Sequence, residues 1–311
     1  MVDFSALKKA NSIEAISKKI AAQSESNERT EDTRYWKLER DKAGNGSAVI
    51  RFLPAPAADG DDAVPFVRLW NHGFKGPSGK WYIENSLTTL KKKDPVSEYN
   101  SMLWNMTNDD NSPERKQARD QKRRLTYIAN ILVISDPANP DNNGKVFLYK
   151  FGQKIYNKIE GCIEPPFDEM GRAKDHPQYD PSSSQFNPFC FWKGANFRLR
   201  CRMVAGYPNY DESAFDSSKP VYEDDAKIEA LWKSEHSLLS EISPDKFKTY
   251  EELKAHLENV LELTPSGTAP LAKAAAPAPV KKSIAELIDD EIPTHGDDED
   301  DDLKAFKALA E

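Results

Sequence analysis

The chain is poor in the residues that build metal, disulfide and catalytic centres. Its 311 residues include three cysteines and five histidines. Cys162, Cys190 and Cys201 form no C-x-x-C pair, which argues against a disulfide framework or a zinc ribbon. His72, His176, His236, His256 and His295 are scattered, so structural or solvated roles are expected for them. No Walker A loop, G-x-G-x-x-G, H-E-x-x-H or G-x-S-x-G sequence occurs, which removes the common nucleotide-binding and hydrolytic signatures. Asp109-Asp110 and Asp224-Asp225 have no metal-ligand setting, and loop or helix-cap roles are expected. No apolar run approaches the roughly 20 residues that cross a bilayer. The first residues lack the basic, apolar, small-residue order of a secretory signal. A reducing cytoplasm and no membrane partner are the resulting expectation.

Charged residues are abundant, at 30% against 38% hydrophobic. The mean hydropathy is -0.72, enough for one core with a solvated remainder. Between Ser283 and Glu311 eleven acids face only Lys304 and Lys307, a charge of -9. The whole chain carries -8, so the preceding 282 residues carry +1. That near-neutral body is itself uneven. Arg115 to Arg124 holds six basic residues and one acid, and Lys193 to Arg202 holds four and none.

These shifts predict four regions. Residues 1–30 read as a basic arm, with a helix capped by Asn11 and Glu14 and an apolar stripe of Ile13, Ile16 and Ile20. Residues 31–263 read as a β-rich core. Its strand candidates are Ala48–Leu53, Phe66–Trp70, Trp81–Ile83, Tyr127–Ile134, Val146–Phe151 and Phe197–Met203. Short strands with irregular loops predict a small barrel in a mixed β-rich (α+β) fold. Helices are expected at Pro95–Trp104, Lys154–Ile159 and Asp225–Ile242, with a last one after a Thr249/Glu252 capping box. Residues 264–282 are mostly Pro, Ala, Gly, Ser and Thr, the composition of a linker. Residues 283–311 read as a disordered acidic tail. Its spaced apolar clusters, Ile284/Leu287/Ile288 and Leu303/Phe306/Leu309, follow a docking-peptide pattern.

The chemistry on offer is cations interleaved with aromatics on strands. Lys122, Arg123 and Arg124 lead into Tyr127, and Tyr149 adjoins Lys150. Arg198, Arg200 and Arg202 alternate along one strand and lead to Tyr207 and Tyr210. Such a surface suits a nucleic-acid single strand, with cations on phosphates and rings on unpaired bases.

The chain resembles the single-stranded-DNA-binding, helix-destabilising proteins of T-even-type tailed bacteriophages. The resemblance is carried by Trp36–Pro54, Asn71–Lys75, Gly79–Glu84, Ala129–Val133, Gly144–Phe147, Gly194–Phe197, Asn209–Ser213 and Asp245–Lys248, in order. It implies an OB-fold core with helical additions, an arm for cooperative head-to-tail binding, and a tail that docks replication and recombination proteins. Polymerase, helicase loader and recombination mediator are the partner types it implies, in the cytoplasm of an infected bacterial host. The arm motif falls on Lys8, Lys9 and Ser12. The DNA-contacting aromatics carry over to Tyr127, Tyr149, Tyr207 and Tyr210, while one further tyrosine position holds Ala118. The resemblance also implies a structural zinc bound by one histidine and three cysteines. The histidine is His72, but the cysteine positions hold Ser86, Asp94 and Ser97, so no zinc or other cofactor is expected.

The expected function is non-enzymatic: sequence-independent coating and protection of single-stranded DNA in phage replication, recombination and repair. A single-stranded RNA binder on the same fold and a nucleic-acid-processing enzyme in a basic groove are the alternatives. The tail generates a test. Eleven acids on a Pro/Ala linker can compete with phosphates for a basic surface. Deleting residues 283–311 is expected to raise affinity for single-stranded DNA, most at low salt, in equilibrium titrations against the full chain.

Overall fold

The computed structural model describes residues 32–178, 180, 182 and 185–263. The predicted arm, with Lys8, Lys9 and Ser12, the linker and the acidic tail lie outside the described residues.

Turn chemistry and apolar alternation set the strands. The Asp41 carboxylate accepts the backbone N–H of Ala43 and Asn45 and closes a turn in which Gly44 adopts φ +81°. Strand β1 (Gly46–Phe52) follows. Strands β2 (Phe66–Lys75) and β3 (Trp81–Asn85) form a hairpin through the Gly76–Lys80 turn. Helices α1 (Pro95–Asn105) and α2 (Pro113–Asp120) precede the long strand β4 (Arg124–Ser135). Strand β5 (Val146–Phe151) and helix α3 (Gln153–Ile163) come next. Strands β6 (Phe197–Val204), β7 (Tyr207–Asn209) and β8 (Ala214–Phe215) follow a long connection. Helices α4 (Asp225–Lys233) and α5 (Tyr250–Leu261) complete the order, with 3-10 turns between them.

The sheet is antiparallel and β4 is its hub. One edge of β4 pairs with β5. The other is shared by β2 along its first half and β1 along its second. Strand β6 pairs with β1, and β7 and β8 pair with β6. The result is a mixed α/β fold built on a large open sheet. No pairing among the described residues closes it into the expected barrel.

Three apolar clusters pack against this sheet. The first holds Ile50, Phe52, Tyr127, Ile131, Val133, Phe151, Phe197 and Leu199. The second joins the β2–β3 hairpin to α1, α2 and α5 through Phe74, Tyr82, Val96, Leu103, Leu253 and Leu257. A Cβ on Gly76 would lie 2.0 Å from the Val260 carbonyl oxygen, so only glycine lets that hairpin seat on α5. The third puts Ile228 and Leu231 of α4 against Leu53, Leu132 and Phe191. Arg51 is fully buried beside it; its Nη2 donates to the Cys190 carbonyl at 2.8 Å and the Lys219 carbonyl at 3.1 Å. Desolvation lowers the pKa of this guanidinium to about 10, and it stays charged at neutral pH.

The helix expected over Asp225–Ile242 is shorter. It ends at Lys233, and the chain resumes as a 3-10 turn at Leu239–Ile242. The buried Asn130 side chain explains the break. It donates to the His236 carbonyl at 2.8 Å and accepts from the His236 N–H at 3.0 Å, taking both groups out of helical pairing. Trp232, on the last turn of α4, is exposed and donates its indole N–H to the Ala55 carbonyl at 2.9 Å. Asp224 caps α4 as expected, accepting from the Ala226 N–H, and the Thr249/Glu252 capping box starts α5.

The same break buries Glu235, whose two carboxylate oxygens have no hydrogen-bond partner. Desolvation raises its pKa from 4.5 to about 9. The folded state therefore holds a proton that the unfolded chain releases between those values. Stability should be greatest below about pH 4.5 on this account and fall as pH rises towards 9. Glu235→Gln is expected to flatten that decline, raising the melting temperature at pH 8 more than at pH 5 in paired thermal scans.

Candidate nucleic-acid interface

Register places a cationic and aromatic row across β2 and β4. Arg68 faces Tyr127, and Trp70 faces Leu125. The pleat sends Phe66, Arg68 and Trp70 to one side of β2. The Arg123 guanidinium lies over the Trp70 ring, 4.1 Å from its centroid. Arg68 lies 5.8 Å from the centroids of both Tyr127 and Tyr156. Those two rings stack at 4.2 Å with an 8° interplanar angle, tying α3 to the sheet. The Tyr127 hydroxyl donates to Gln153 at 2.8 Å. Arg124 is cross-strand from Asn71, and burial lowers its pKa. A guanidinium held over a ring face, as Arg123 is, keeps its charge while its orientation is fixed, and Arg68 is oriented from the rim of its stack through the Tyr156 hydroxyl.

The row on β6 is separate. Phe197, Leu199 and Cys201 are buried and Arg198, Arg200 and Arg202 exposed, as the alternation requires. Ile50 pairs with both Phe197 and Val133, so Phe197 shares its face with Tyr127 while Arg198 points to the other side. The structure thus divides the expected single groove into two basic surfaces. Ion pairs occupy part of the second: Arg198 with Asp216 at 2.7 Å and Arg202 with Glu212 at 2.9 Å. Its groove, about 540 Å³, is also lined by Asp41, Asn45 and Ser47.

Burial corrects the expected stacking residues. Tyr127, Tyr149 and Tyr210 are only 2%, 1% and 3% exposed and serve as core aromatics. Tyr149 packs edge-on against Trp36 at 5.4 Å. Of the four, Tyr207 alone presents an open ring, at 59% exposure. Lys122, Arg123 and Lys150 are half-buried, with Lys150 cross-strand from Ile128. Ala118 is buried within the second cluster. Sequence reasoning missed Arg68, Trp70 and Tyr156. The available signal was a lone arginine inside the apolar strand Phe66–Trp70.

His72, Ser86, Asp94 and Ser97 do converge. His72 Nδ1 is 2.9 Å from the Gln121 carbonyl oxygen, and His72 Nε2 is 3.3 Å from Asp94 Oδ1. Burial would raise the Asp94 pKa. The His72 contact, the Ser97 amide and the Ser86 hydroxyl outweigh it and hold the group at about 2.

The family model for gp32 DNA binding protein like proteins matches residues 44–261. The chain belongs to the gp32-like family. The single-stranded DNA-binding protein of Enterobacteria phage T2 is 42% identical over 256 residues, which are 81% of this chain and 76% of that protein. The Enterobacteria phage T4 protein of the same name is 41% identical over the same shares. The family is one of binding proteins and not enzymes, which removes the nucleic-acid-processing alternative. The matched span takes in both basic surfaces and the His72–Asp94 cluster.

The division between core and exposed tyrosines has a measurable consequence. Tyr149→Ala is expected to cost about 3–5 kcal/mol in a denaturant titration, as for other buried aromatics. Tyr207→Ala, at an exposed ring, should cost clearly less in the same titration.

Proposed function

We propose that this chain binds single-stranded DNA without sequence preference, coating and protecting it during phage replication, recombination and repair in the infected bacterial cell. The observation that carries the reading is the Arg123–Trp70 and Arg68–Tyr127–Tyr156 row on a gp32-like core. Its cations are oriented by rings and can track phosphates, and the half-buried Trp70 offers an edge to unstacked bases. The β6 arginines and Tyr207 extend the path around the sheet, whose curvature we read as OB-fold-like. The arm, through Lys8, Lys9 and Ser12, supplies cooperative head-to-tail contact between copies. The acidic tail recruits replication and recombination proteins such as polymerase, helicase loader and recombination mediator.

A salt-dependent titration of matched single-stranded DNA, duplex DNA and single-stranded RNA tests this reading. Single-stranded DNA should bind tightest, with affinity falling as salt rises. Preference for duplex would overturn it, and preference for RNA would transfer the function to that strand. Arg68→Ala and Arg123→Ala should each weaken binding to every sequence alike and reduce the log–log salt slope by roughly one. Trp70→Ala should weaken binding by roughly 1–3 kcal/mol with little change in slope.

A further inference from the structure

The four positions that family resemblance assigns to a structural zinc are joined here by a carboxylate. Asp94 is the N-cap of α1; its Oδ1 accepts the Val96 N–H at 3.1 Å and the Ser97 N–H at 3.0 Å. Its Oδ2 accepts the Ser86 hydroxyl at 3.0 Å and the Leu87 N–H at 3.0 Å. His72 Nε2 lies 3.3 Å from Oδ1 without the alignment of a hydrogen bond, and because Nδ1 carries the proton shared with Gln121 the contact is an ion pair in the protonated imidazole. Ser86, Asp94 and His72 are at most 1% exposed.

This donor set does not fit zinc. A structural zinc takes four lone-pair donors, thiolate or imidazole, at about 2.0–2.3 Å. Ser86 directs its hydroxyl hydrogen at Asp94, and Ser97 contributes an amide hydrogen. Both Asp94 oxygens already accept two hydrogen bonds each. Only one imidazole and one carboxylate remain as ordinary ligands, too few to close a tetrahedral site. Among the described residues, no group of three His, Cys, Asp or Glu side chains is placed to hold a metal.

The cluster nevertheless makes the connections that a metal would make. It links β2 through His72, the turn after β3 through Ser86 and Leu87, and α1 through Val96 and Ser97. It also reaches the candidate interface. A carbonyl only accepts, so His72 Nδ1 donates to Gln121 O, which also accepts from Asn100 Nδ2 at 3.2 Å. Gln121 immediately precedes Lys122, Arg123 and Arg124.

We propose that Asp94 replaces the metal as a built-in crosslink, and that the Asp94–His72–Gln121 chain positions the basic run over Trp70. Asp94 and His72 are positioning residues in this scheme and touch no nucleic acid. The positioning half rests on the DNA-binding reading; the crosslink half does not.

The full chain, purified from zinc-supplemented cells, should carry far less than one zinc per molecule by elemental analysis. Its melting temperature should not respond to a chelator. Asp94→Asn should lower the melting temperature, because an amide group cannot accept on both sides. At a temperature where that variant is still folded, its affinity for single-stranded DNA should fall several-fold. The triple change Ser86→Cys, Asp94→Cys and Ser97→Cys should create a site with His72 that takes up about one zinc. Zinc should then restore both melting temperature and affinity, and chelation should remove both. One zinc per wild-type chain, lost on His72→Ala, would overturn the crosslink; so would an unchanged melting temperature in Asp94→Asn. A triple variant that takes up no zinc would show that the four positions do not converge. Recovery of melting temperature with affinity unmoved would overturn the positioning half alone. Failure of the wild-type chain to bind single-stranded DNA would instead remove the functional reading and leave the crosslink standing.

Discussion

Everything in the core depends on β4 being covered on all sides. It pairs along both edges, and every residue from Thr126 to Val133 is buried. A strand so enclosed must satisfy each polar group from within the protein. Thr126 accepts from the Asn71 side chain at 3.2 Å, and Asn130 clamps the backbone of His236 from both sides. These requirements fix what surrounds the strand. Asn130 halts the helix that would otherwise continue past Lys233, and the pairing of Arg68 with Tyr127 fixes which cations meet which rings. A one-residue slip would carry Arg68 away from Tyr127 to the side now held by Val67 and Leu69.

Much of this was legible before the structure. Alternation gave the correct inward and outward sets over Phe197–Arg202, because a half-covered strand has only two faces, but Met203, the next apolar position, is exposed. The Thr249/Glu252 capping box marked the start of α5. What failed was the step from strand to surface. Tyr127 and Tyr149 stand beside cations in sequence, yet sequence adjacency on a strand places neighbours on opposite faces. Arg68, which does meet Tyr127, comes from β2, nearly sixty residues earlier, through a pairing that no local pattern encodes. Helix α2 was likewise hidden inside a basic run, since its buried contribution is Ala118.

The corrected picture divides labour differently between rings and charges. Tyr127, Tyr149 and Tyr210 are buried, and Tyr127 with the half-buried Tyr156 forms a stacked pair that borders a guanidinium. Tyr127 and Tyr156 stack face to face in nearly parallel planes, and Arg68 sits beside the stack, equally distant from both and 3.4 Å from the Tyr156 hydroxyl. Arginine suits a place over a ring, as Arg123 has over Trp70, because its planar cation can stack there and still direct N–H groups outward. Lysine would place a hydrated point charge there with less orientation. That pair lies one step along the sheet from Arg68, with the Trp70 ring itself half-exposed.

The buried Arg51 bears on how the molecule opens. Its guanidinium holds carbonyls from Cys190 and Lys219, at the two ends of a stretch that contains β6, β7 and β8. Gly194 lies against the same group; a Cβ there would come within 2.8 Å of Arg51 Nη2. Peeling that stretch away would strand a full positive charge in an apolar interior, a costly state. Local fraying of this edge is therefore tied to disruption of the core. Amides of β1 and β6 belong to one cooperative unit and should exchange with solvent together, in the slowest class of the protein.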